Sequence, residues 1–406
     1  MVGAGVIGLS CALVLQAAGR QVRLVDRDEP GGETSRGNAG AFAFADIVPL
    51  ATPGIMRAAP GWLLDPLGPL SIPPAYAPAI APWLWRFWRA SRRHRFAALM
   101  RAQAALMTHS RLALERQARD LDAERLLLRQ GQLRLYQGER RFRRARPYWQ
   151  ALRAHGVGAE ILQGPAAIAE IQPGLSPEFT HAGHTPDWIN TRDPALWLDH
   201  LRAVFRARGG LLARFEATAI APAGDRVRLH GRQGTLEAAR LVVAAGAWSR
   251  ALALALGDRI PLETERGYNT TLPAGAFDLR THLTFADHGF VVSRIGEGVR
   301  VGGAVELGGL ARPPDFRRAD VLLDKAARFL PGLRTDGGTR WMGFRPSLPD
   351  SLPVIARAPR APRVVYAFGH GHLGLTQAAG TAELVRALIC DRPPPIDLAA
   401  FAATRF

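Results

Sequence analysis

The sequence predicts an α/β protein in which one domain is built from separate pieces of the chain and a second domain is inserted between them. Three observations lead to this prediction. A glycine-rich turn between a strand pattern and a helix pattern opens the chain, an apolar strand occupies residues 241–245, and a strand, turn and helix occupy residues 364–389. We therefore expect one domain at residues 1–55, 156–260 and 336–406, and the other at residues 56–155 and 261–335.

The opening turn has the pattern G-x-G-x-x-G, formed by Gly3, Gly5 and Gly8. The first glycine permits a tight turn, the second lets the backbone approach a pyrophosphate, and the third lets the helix pack on the strand. The following helix offers free N–H groups to an anion. Asp26 closes the next strand, where a carboxylate accepts hydrogen bonds from ribose hydroxyls. The motif predicts dinucleotide binding but does not choose between FAD and NAD.

Two further segments support a flavin dinucleotide. Residues 33–40 form a polar, glycine-bearing loop after the second strand, and its hydroxyl and amide groups could follow a pyrophosphate toward a ring system. Ala245 and Gly246 end the apolar strand with small residues, which lets the backbone pack against a dinucleotide. Because only Met1 and Val2 precede the first glycine, we expect the first strand to be short.

The remaining elements follow from composition and periodicity. Prolines are dense from Pro49 to Pro82, with Trp62 among them, and this excludes long regular elements before Trp83. Beyond that point, helices are predicted at residues 83–130, 139–155, 194–208 and 319–330, and strands at residues 132–136, 211–220 and 225–230. Residues 282–306 alternate in the manner of antiparallel strands.

A second G-x-G-x-x-G spacing occurs at Gly369, Gly371 and Gly374, between a strand and a helix. No further strand follows to complete a βαβ unit, so we do not expect a second nucleotide site there. A helix N-terminus aimed at one end of a flavin is the better interpretation, because its dipole stabilises negative charge on the reduced ring.

The composition argues against several classes of function. The net charge of +17 comes almost entirely from arginines scattered along predicted helices, with Lys325 the only lysine, so it does not indicate nucleic-acid binding. A basic surface could still favour anionic substrates or lipid headgroups. Cys11 and Cys390 cannot hold an iron–sulfur cluster, and the eleven histidines show no metal-ligand spacing. With no signal peptide and no apolar run of roughly 18 residues, we expect a cytoplasmic protein.

Together, these features resemble the D-amino acid oxidase-like flavoproteins, and among them most closely the bacterial D-amino acid dehydrogenases. The resemblance runs nearly end to end. Its most specific parts are GNAG at residues 37–40, TPG at 52–54, RGY at 266–268, RVGG at 300–303, GFRP at 343–346 with Pro349, Asp350 and Pro353, and GHGHLGLT at 369–376.

This resemblance implies a Rossmann-type FAD-binding domain interleaved with a substrate domain on a mixed sheet. It implies noncovalent FAD, because the C-terminal turn lacks the cysteine to which some relatives attach the flavin. The residues expected to bind FAD are Gly3, Gly5, Val6, Ile7, Gly8, Asp26, Arg27, Thr34, Ser35, Asn38, Ala39, Gly40, Ala217, Ala245, Gly246, Gly371, His372, Leu373, Gly374, Leu375 and Thr376.

The chemistry implied by the resemblance is transfer of a hydride from the substrate Cα to flavin N5, for which no dedicated general base is expected. Arg345 is the candidate for holding the substrate carboxylate, since a planar guanidinium matches it with two parallel hydrogen bonds. The alternative role for Arg345 is a structural salt bridge to Asp350. Tyr268 either adds a hydrogen bond to the same carboxylate or packs in the core.

Several alternatives stay open. The segments at residues 341–353 and 368–376 resemble hydroxyproline-catabolic dehydrogenases, which makes D-proline or cis-4-hydroxy-D-proline a candidate substrate. A glycine or sarcosine oxidase that uses oxygen is one alternative, and a flavin electron-transfer subunit of a hetero-oligomer is another. For a dehydrogenase, the electron acceptor would belong to the respiratory chain.

Residues 82–95 mix interfacial tryptophans with arginines, and this pattern is typical of peripheral membrane contact. Docking of this kind on the inner membrane would suit electron delivery to the respiratory chain. The alternative is a helix that packs its tryptophans on the substrate domain.

Overall fold

The computed structural model describes residues 1–28, 33–57, 68 and 70–406. Trp62 and three prolines of the proline-dense segment (Pro60, Pro66 and Pro69) lie outside the described residues. The strands are β1 (Arg23–Asp26), β2 (Ala41–Phe42), β3 (Leu70–Ser71), β4 (Leu127–Leu128), β5 (Gln132–Tyr136), β6 (Glu160–Gln163), β7 (His181–Thr185), β8 (Ile189–Thr191), β9 (Leu211–Arg214), β10 (Ala217–Ala223), β11 (Arg226–Gly231), β12 (Gly234–Ala238), β13 (Leu241–Val243), β14 (Glu263–Leu272), β15 (His282–Phe285), β16 (Phe290–Ile295), β17 (Gly298–Glu306), β18 (Thr339–Ser347), β19 (Val354–Ala358) and β20 (Ala361–Phe368).

The α-helices are α1 (Val6–Ala17), α2 (Ala77–Ala90), α3 (Arg93–Asp120), α4 (Glu139–Arg144), α5 (Arg146–Ala154), α6 (Pro165–Ile171), α7 (Pro194–Ala207), α8 (Ser249–Ala255), α9 (Arg317–Phe329) and α10 (Gly374–Ile389).

The first layer is a mostly parallel sheet in the order β9, β1, β13, β20, β19. Val2 bridges β1 and β13 by pairing in parallel with Val25 and Val243, so the expected first strand is reduced to this bridge. Helix α1 packs on α7 and α10, and α10 packs on α3. Apolar side chains of α1 and α7, including Leu9 and Trp197, form the core above this sheet.

The second layer is a nine-stranded mixed sheet in the order β18, β14, β17, β16, β15, β5, β7, β6, with β3 beside β17. Its pairs are antiparallel except β15 with β5 and β17 with β3. Helix α9 covers one face, where Phe285, Phe290 and Phe329 stack on one another. The interleaved fold class predicted from the sequence is thus confirmed.

The strand pairing differs from the expected domain boundaries in two places. Strands β6 and β7 lie within residues 156–260, and β18 lies within residues 336–406, yet all three pair in the mixed sheet. The reason is the choice of pairing partner. Strand β7 pairs with β5 and β18 pairs with β14, and local periodicity carries no information about which strands pair.

The helix predicted to start at Trp83 begins six residues earlier, because α2 starts at Ala77 within the proline-dense segment. Pro78 stands in the first turn, where its missing N–H costs no helical hydrogen bond. Pro82 lies inside the helix and does remove one. Burial of Ile80 and Trp83 against Leu307 compensates for that loss.

No helix in the described ranges is both long enough and apolar enough to span a bilayer.

Candidate functional site

The opening glycine turn has the geometry that its pattern predicts. Gly3 has φ +98°, and a Cβ there would lie 2.3 Å from the Ala244 carbonyl oxygen. A Cβ at Gly8 would lie 1.8 Å from the Gly3 oxygen, so α1 packs directly on the turn. At Gly5, by contrast, a Cβ would meet only the Ser35 hydroxyl, at 3.1 Å. Gly5 therefore faces open space at the N-terminus of α1.

That open space is a cleft of about 250 Å³. Most of the residues expected to bind FAD line it, namely Gly3, Gly5, Val6, Ile7, Asp26, Arg27, Thr34, Ser35, Asn38, Ala217, Ala245, Gly246, Gly371, Gly374 and Leu375. The sequence analysis missed Trp248, Phe344 and Pro346, which also line it. Phe344 and Pro346 belong to the GFRP segment, which was assigned only to the substrate.

Two side chains accept hydrogen bonds from N–H groups of the glycine turn and of the first residue of α1. The Ala4 N–H donates to Asp26 Oδ2 at 2.6 Å, and the Val6 N–H donates to the Ser35 hydroxyl at 3.2 Å. Burial raises the pKa of Asp26. Arg27 stacks its guanidinium 3.5 Å above the Trp248 ring. The cleft is thus bordered by the N-terminus of α1, by the Asp26 carboxylate and by the Arg27 guanidinium stacked on Trp248.

The other expected FAD residues lie outside the cleft. Gly8 lies beneath the turn, while Ala39, His372 and Leu373 line a second cavity next to it. The Thr376 hydroxyl donates to the Ala41 carbonyl and accepts from the Ala43 N–H. The Gly40 N–H donates to Asn38 Oδ1 at 2.8 Å. Gly8, Gly40 and Thr376 therefore shape the walls and do not border the cleft.

The second cavity has a volume of about 390 Å³ and shares Thr34, Asn38 and Gly371 with the cleft. It lies between the mixed sheet and the 371–373 turn. Its wall includes aromatic and charged side chains, namely Asp46, Arg134, Trp188, His282, Arg300, Trp341, Arg345 and His372.

Arg345 lies on β18 with its guanidinium flat over Gly267, where a Cβ would be 2.2 Å from Arg345 Cζ. Its Nη1 donates to the Ala304 carbonyl at 2.9 Å, and Nη2 donates to that of Gly303. Burial lowers its pKa, and nearby Glu265 acts in the opposite direction. Among the described residues no carboxylate forms a salt bridge with Arg345.

The alternative partner suggested for Arg345 is engaged elsewhere. Asp350 pairs with Arg405, with 2.7 Å between Oδ2 and Nε. A structural salt bridge between Arg345 and Asp350 is therefore wrong.

Tyr268 borders the second cavity, but its hydroxyl is engaged within the protein. Its side chain is 1% exposed, and its hydroxyl donates to Glu306 and accepts from the Asp315 N–H. Glu306 also pairs with buried Arg266. Tyr268 belongs to this buried polar network, so the packing alternative describes it.

Two residues that the sequence analysis did not assign shape the second cavity. Arg300 donates from Nε to the Thr271 hydroxyl at 2.8 Å and from Nη1 to the carbonyls of Arg36 and Asn38, so it anchors the loop shared by both cavities. Glu265 accepts from His372 Nε2 at 2.6 Å. Arg300 lies in the RVGG segment, which the family resemblance had already singled out. No local sequence pattern indicates Glu265.

A family model described as FAD dependent oxidoreductase (DAO) matches residues 1–388. The chain belongs to this family of FAD-dependent oxidoreductases. A D-amino-acid oxidase of Bradyrhizobium diazoefficiens is 34% identical over all of this chain and 98% of its own length. A D-amino acid dehydrogenase of Chromohalobacter salexigens is 31% identical over 98% of this chain and 96% of its own.

Solved structures show the same fold for this FAD-dependent oxidoreductase. A glycine oxidase from Geobacillus kaustophilus has a TM-score of 0.80 at 21% identity, over 100% of this chain and 97% of its own. An L-proline dehydrogenase from P. horikoshii has a TM-score of 0.74 at 16% identity, over 100% of this chain and 96% of its own.

The cleft fits FAD in charge and shape. The first turn of α1 carries no acidic residue, so its N–H groups and dipole can receive a pyrophosphate beside Gly5. Asp26 lies where ribose hydroxyls would reach it, and the far end of the cleft opens at Gly371 into the second cavity. An elongated dinucleotide lying along this path would present its ring system to the second cavity.

Proposed function

We propose that the protein oxidises a small D-amino acid at Cα, with FAD in the cleft and the amino acid in the second cavity. The single observation that carries this proposal is Arg345. It is a fixed guanidinium that forms no salt bridge in the described chain, and it lies in the cavity that adjoins the end of the cleft. The names of the two curated relatives support the class of substrate.

In this proposal Arg345 binds the substrate carboxylate and thereby decides which face of Cα meets the cofactor. Bound FAD supplies the hydride acceptor. The product imine of a primary amine would be hydrolysed to a keto acid and ammonia, and that of a secondary amine would be cyclic. We propose noncovalent FAD, since Cys11 is buried within α1 and Cys390 caps the far end of α10.

Within this class we propose D-proline or cis-4-hydroxy-D-proline as the substrate. The support is the resemblance of residues 341–353 and 368–376 to hydroxyproline-catabolic dehydrogenases, together with the Trp341 and Trp188 rings in the cavity wall. A compact ring has the size and shape for a cavity of about 390 Å³ that also holds one end of FAD.

We also propose that electrons leave to a respiratory-chain acceptor at an anionic membrane, where α2 is the contact surface. Trp85 and Trp88 are 52% and 43% exposed, with Arg89 and Arg92 stacked 4.6 and 4.7 Å from their rings. Within the described ranges, the arginines at positions 86, 89, 92, 93 and 95 form no salt bridge. Unpaired cations beside exposed tryptophans suit an anionic interface.

Two substitutions at Arg345 test the proposed carboxylate contact. Arg345→Lys keeps the charge but loses the planar fork, so kcat/KM for a D-amino acid should fall without loss of FAD. Arg345→Met should cost more, about 3–5 kcal/mol of transition-state stabilisation, because a poorly solvated carboxylate is left unpaired. In Arg345→Met, kcat/KM for the decarboxylated amine should approach kcat/KM for the amino acid, whereas in wild type the amine should be the poorer substrate.

Arg340→Met is the matched control, because Arg340 lies on the same strand but is exposed and paired with Asp320. It should leave kcat/KM unchanged. If Arg345→Met keeps most of the activity toward the amino acid, another residue holds the carboxylate and the proposed site is wrong.

A further inference from the structure

We propose that His372, held by Glu265, accepts a proton from the substrate ammonium group before Cα is oxidised. This inference rests on the proposed function, because it requires an amino acid in the second cavity. His372 would be a catalytic residue in direct contact with the substrate, and Glu265 would be a positioning residue that acts through it.

Strand register brings the two groups together. Glu265 on β14 stands opposite Arg345 on β18, and opposed residues of antiparallel strands project from the same face. Arg345 extends over Gly267, whereas Glu265 is buried and reaches His372 in the turn before α10. A buried carboxylate thus lies between a histidine and an arginine that both line the cavity.

The charges favour an ionised Glu265. Burial alone would raise its pKa, but the facing His372 and Arg345 outweigh burial and hold the pKa below its ordinary value. An ionised carboxylate accepts the Nε2–H of His372, so in the neutral ring the other nitrogen, Nδ1, is an acceptor. Nδ1 forms no hydrogen bond in the part of the chain that the structure describes.

The charged groups around His372 come from several elements. His372 faces Glu265 on β14 and Asp46 after β2, while Arg345 on β18 lies near Glu265 and Arg134 on β5 lies near Asp46. Burial raises the pKa of Asp46. A zwitterionic amino acid matches this arrangement. Arg345 would bind the carboxylate, and the ammonium group on the same carbon would lie toward His372.

The proton step is simple. An N–H bond of the ammonium group breaks, its proton joins His372 Nδ1, and the electron pair stays on the substrate nitrogen. That pair would then be available to form the C=N bond when bound FAD accepts the hydride from Cα. The proton on His372 is released to solvent after the product leaves. In a protein without His372 and Glu265, only substrate whose amino group is already deprotonated in solution would react.

The test measures kcat/KM against pH for His372→Asn, Glu265→Gln and wild type, with a D-amino acid that reduces the wild-type flavin. Near neutral pH His372→Asn should lose about 100-fold, within the usual range for general bases. This loss should shrink as the pH rises and the free amine deprotonates. Glu265→Gln should show the same pattern, with a smaller loss of kcat/KM near neutral pH that also shrinks as the pH rises.

Propionate, a carboxylate without an amino group, separates this role from binding. Its dissociation constant, read from the flavin absorbance, should be unchanged in His372→Asn, should not rise in Glu265→Gln, and should be raised in Arg345→Met. Asp46→Asn is the control for a general field effect, because Asp46 faces His372 without a hydrogen bond to it, and it should lose less activity than Glu265→Gln.

A loss that is equal at every pH, or no loss, would overturn the proton role. A larger loss in Asp46→Asn than in Glu265→Gln would overturn the positioning role. If no D-amino acid reduces the wild-type flavin, the proposed function itself fails, and that result is distinct from a wild type that works beside variants with an unchanged pH profile.

Discussion

Gly267 allows the second cavity to contain a fixed cation. Any side chain at this position would occupy the space of the Arg345 guanidinium, since even a Cβ would lie 2.2 Å from Cζ. With glycine there, the guanidinium lies flat on the sheet and donates to two carbonyls of the Ala304 region. Carbonyls fix its direction without neutralising its charge, which leaves the charge for a carboxylate.

Residue alternation on β14 separates the side chains that share the face of Arg345 from those that point to the core. Glu265, Gly267 and Asn269 share the face of Arg345, whereas Arg266 and Tyr268 point to the opposite face and meet Glu306. The sequence shows that the RGY segment matters, but only the register says which of its residues face the cavity. Glu265 was missed for the same reason.

Gly5→Leu should abolish FAD binding without unfolding the protein. The Gly5 φ of −72° suits any residue, and the only atom near its Cβ is the Ser35 hydroxyl. A leucine side chain would fill the space at the N-terminus of α1, so FAD affinity should fall by more than about tenfold, or about 1.4 kcal/mol. Absorbance after gel filtration with added FAD measures this.

Gly158→Leu is the matched control for this prediction, because it enlarges an exposed glycine with no atom within 4 Å of its Cβ. It should purify yellow. A yellow Gly5→Leu protein with full FAD content would show that the cofactor does not lie against this turn.

At the scale of elements, α2 has two faces with different tasks. Ile80 and Trp83 bury against Leu307 and tie the helix to the mixed sheet, while Trp85 and Trp88 project outward. The alternative in which α2 packs its tryptophans on the substrate domain therefore describes Trp83. Proline density concealed only the first six residues of α2, because burial of one face overrides local propensity.

The double change Trp85→Ser and Trp88→Ser should weaken binding to vesicles of anionic lipid by more than about tenfold. The unfolding free energy should change by less than about 0.5 kcal/mol per site, as is usual for exposed positions. Raised salt should weaken wild-type binding, because it screens the arginines. Co-sedimentation at two salt concentrations, with thermal unfolding alongside, measures these effects.

Leu196→Ser with Leu254→Ser is the control, since these leucines are 51% and 54% exposed on other helices. Wild-type protein that ignores anionic vesicles at low salt contradicts membrane contact. Unfolding of the tryptophan variant would show that both rings are structural.

At the scale of the whole molecule, the loop at residues 33–40 joins the two sheets. Thr34 exchanges hydrogen bonds with the backbone of Phe344 on β18, and Arg300 on β17 anchors the loop carbonyls. The loop lines both the cleft and the second cavity, so the mixed sheet positions the second cavity relative to the cleft.

Most of the cleft could be predicted because glycine turns, helix starts and an acid at a strand end are local features, and Gly3, Gly5 and Asp26 lie where they were expected. The second cavity could be predicted only in part, since Arg345, Tyr268 and the loop and turn residues Ala39, His372 and Leu373 were named from the sequence. Its other residues come from strands that pair across long stretches of chain, as Glu265 does with Arg345. Such pairing depends on tertiary packing rather than on local pattern.

The central claim is that an amino acid in the second cavity reduces FAD in the cleft. The most direct measurement is anaerobic bleaching of the bound flavin by a panel of D- and L-amino acids that includes D-proline and cis-4-hydroxy-D-proline. We predict yellow protein that is bleached by at least one small D-amino acid and far more slowly by its L-enantiomer. Protein that cannot be reconstituted with FAD, or flavin that no D-amino acid bleaches, would contradict the account.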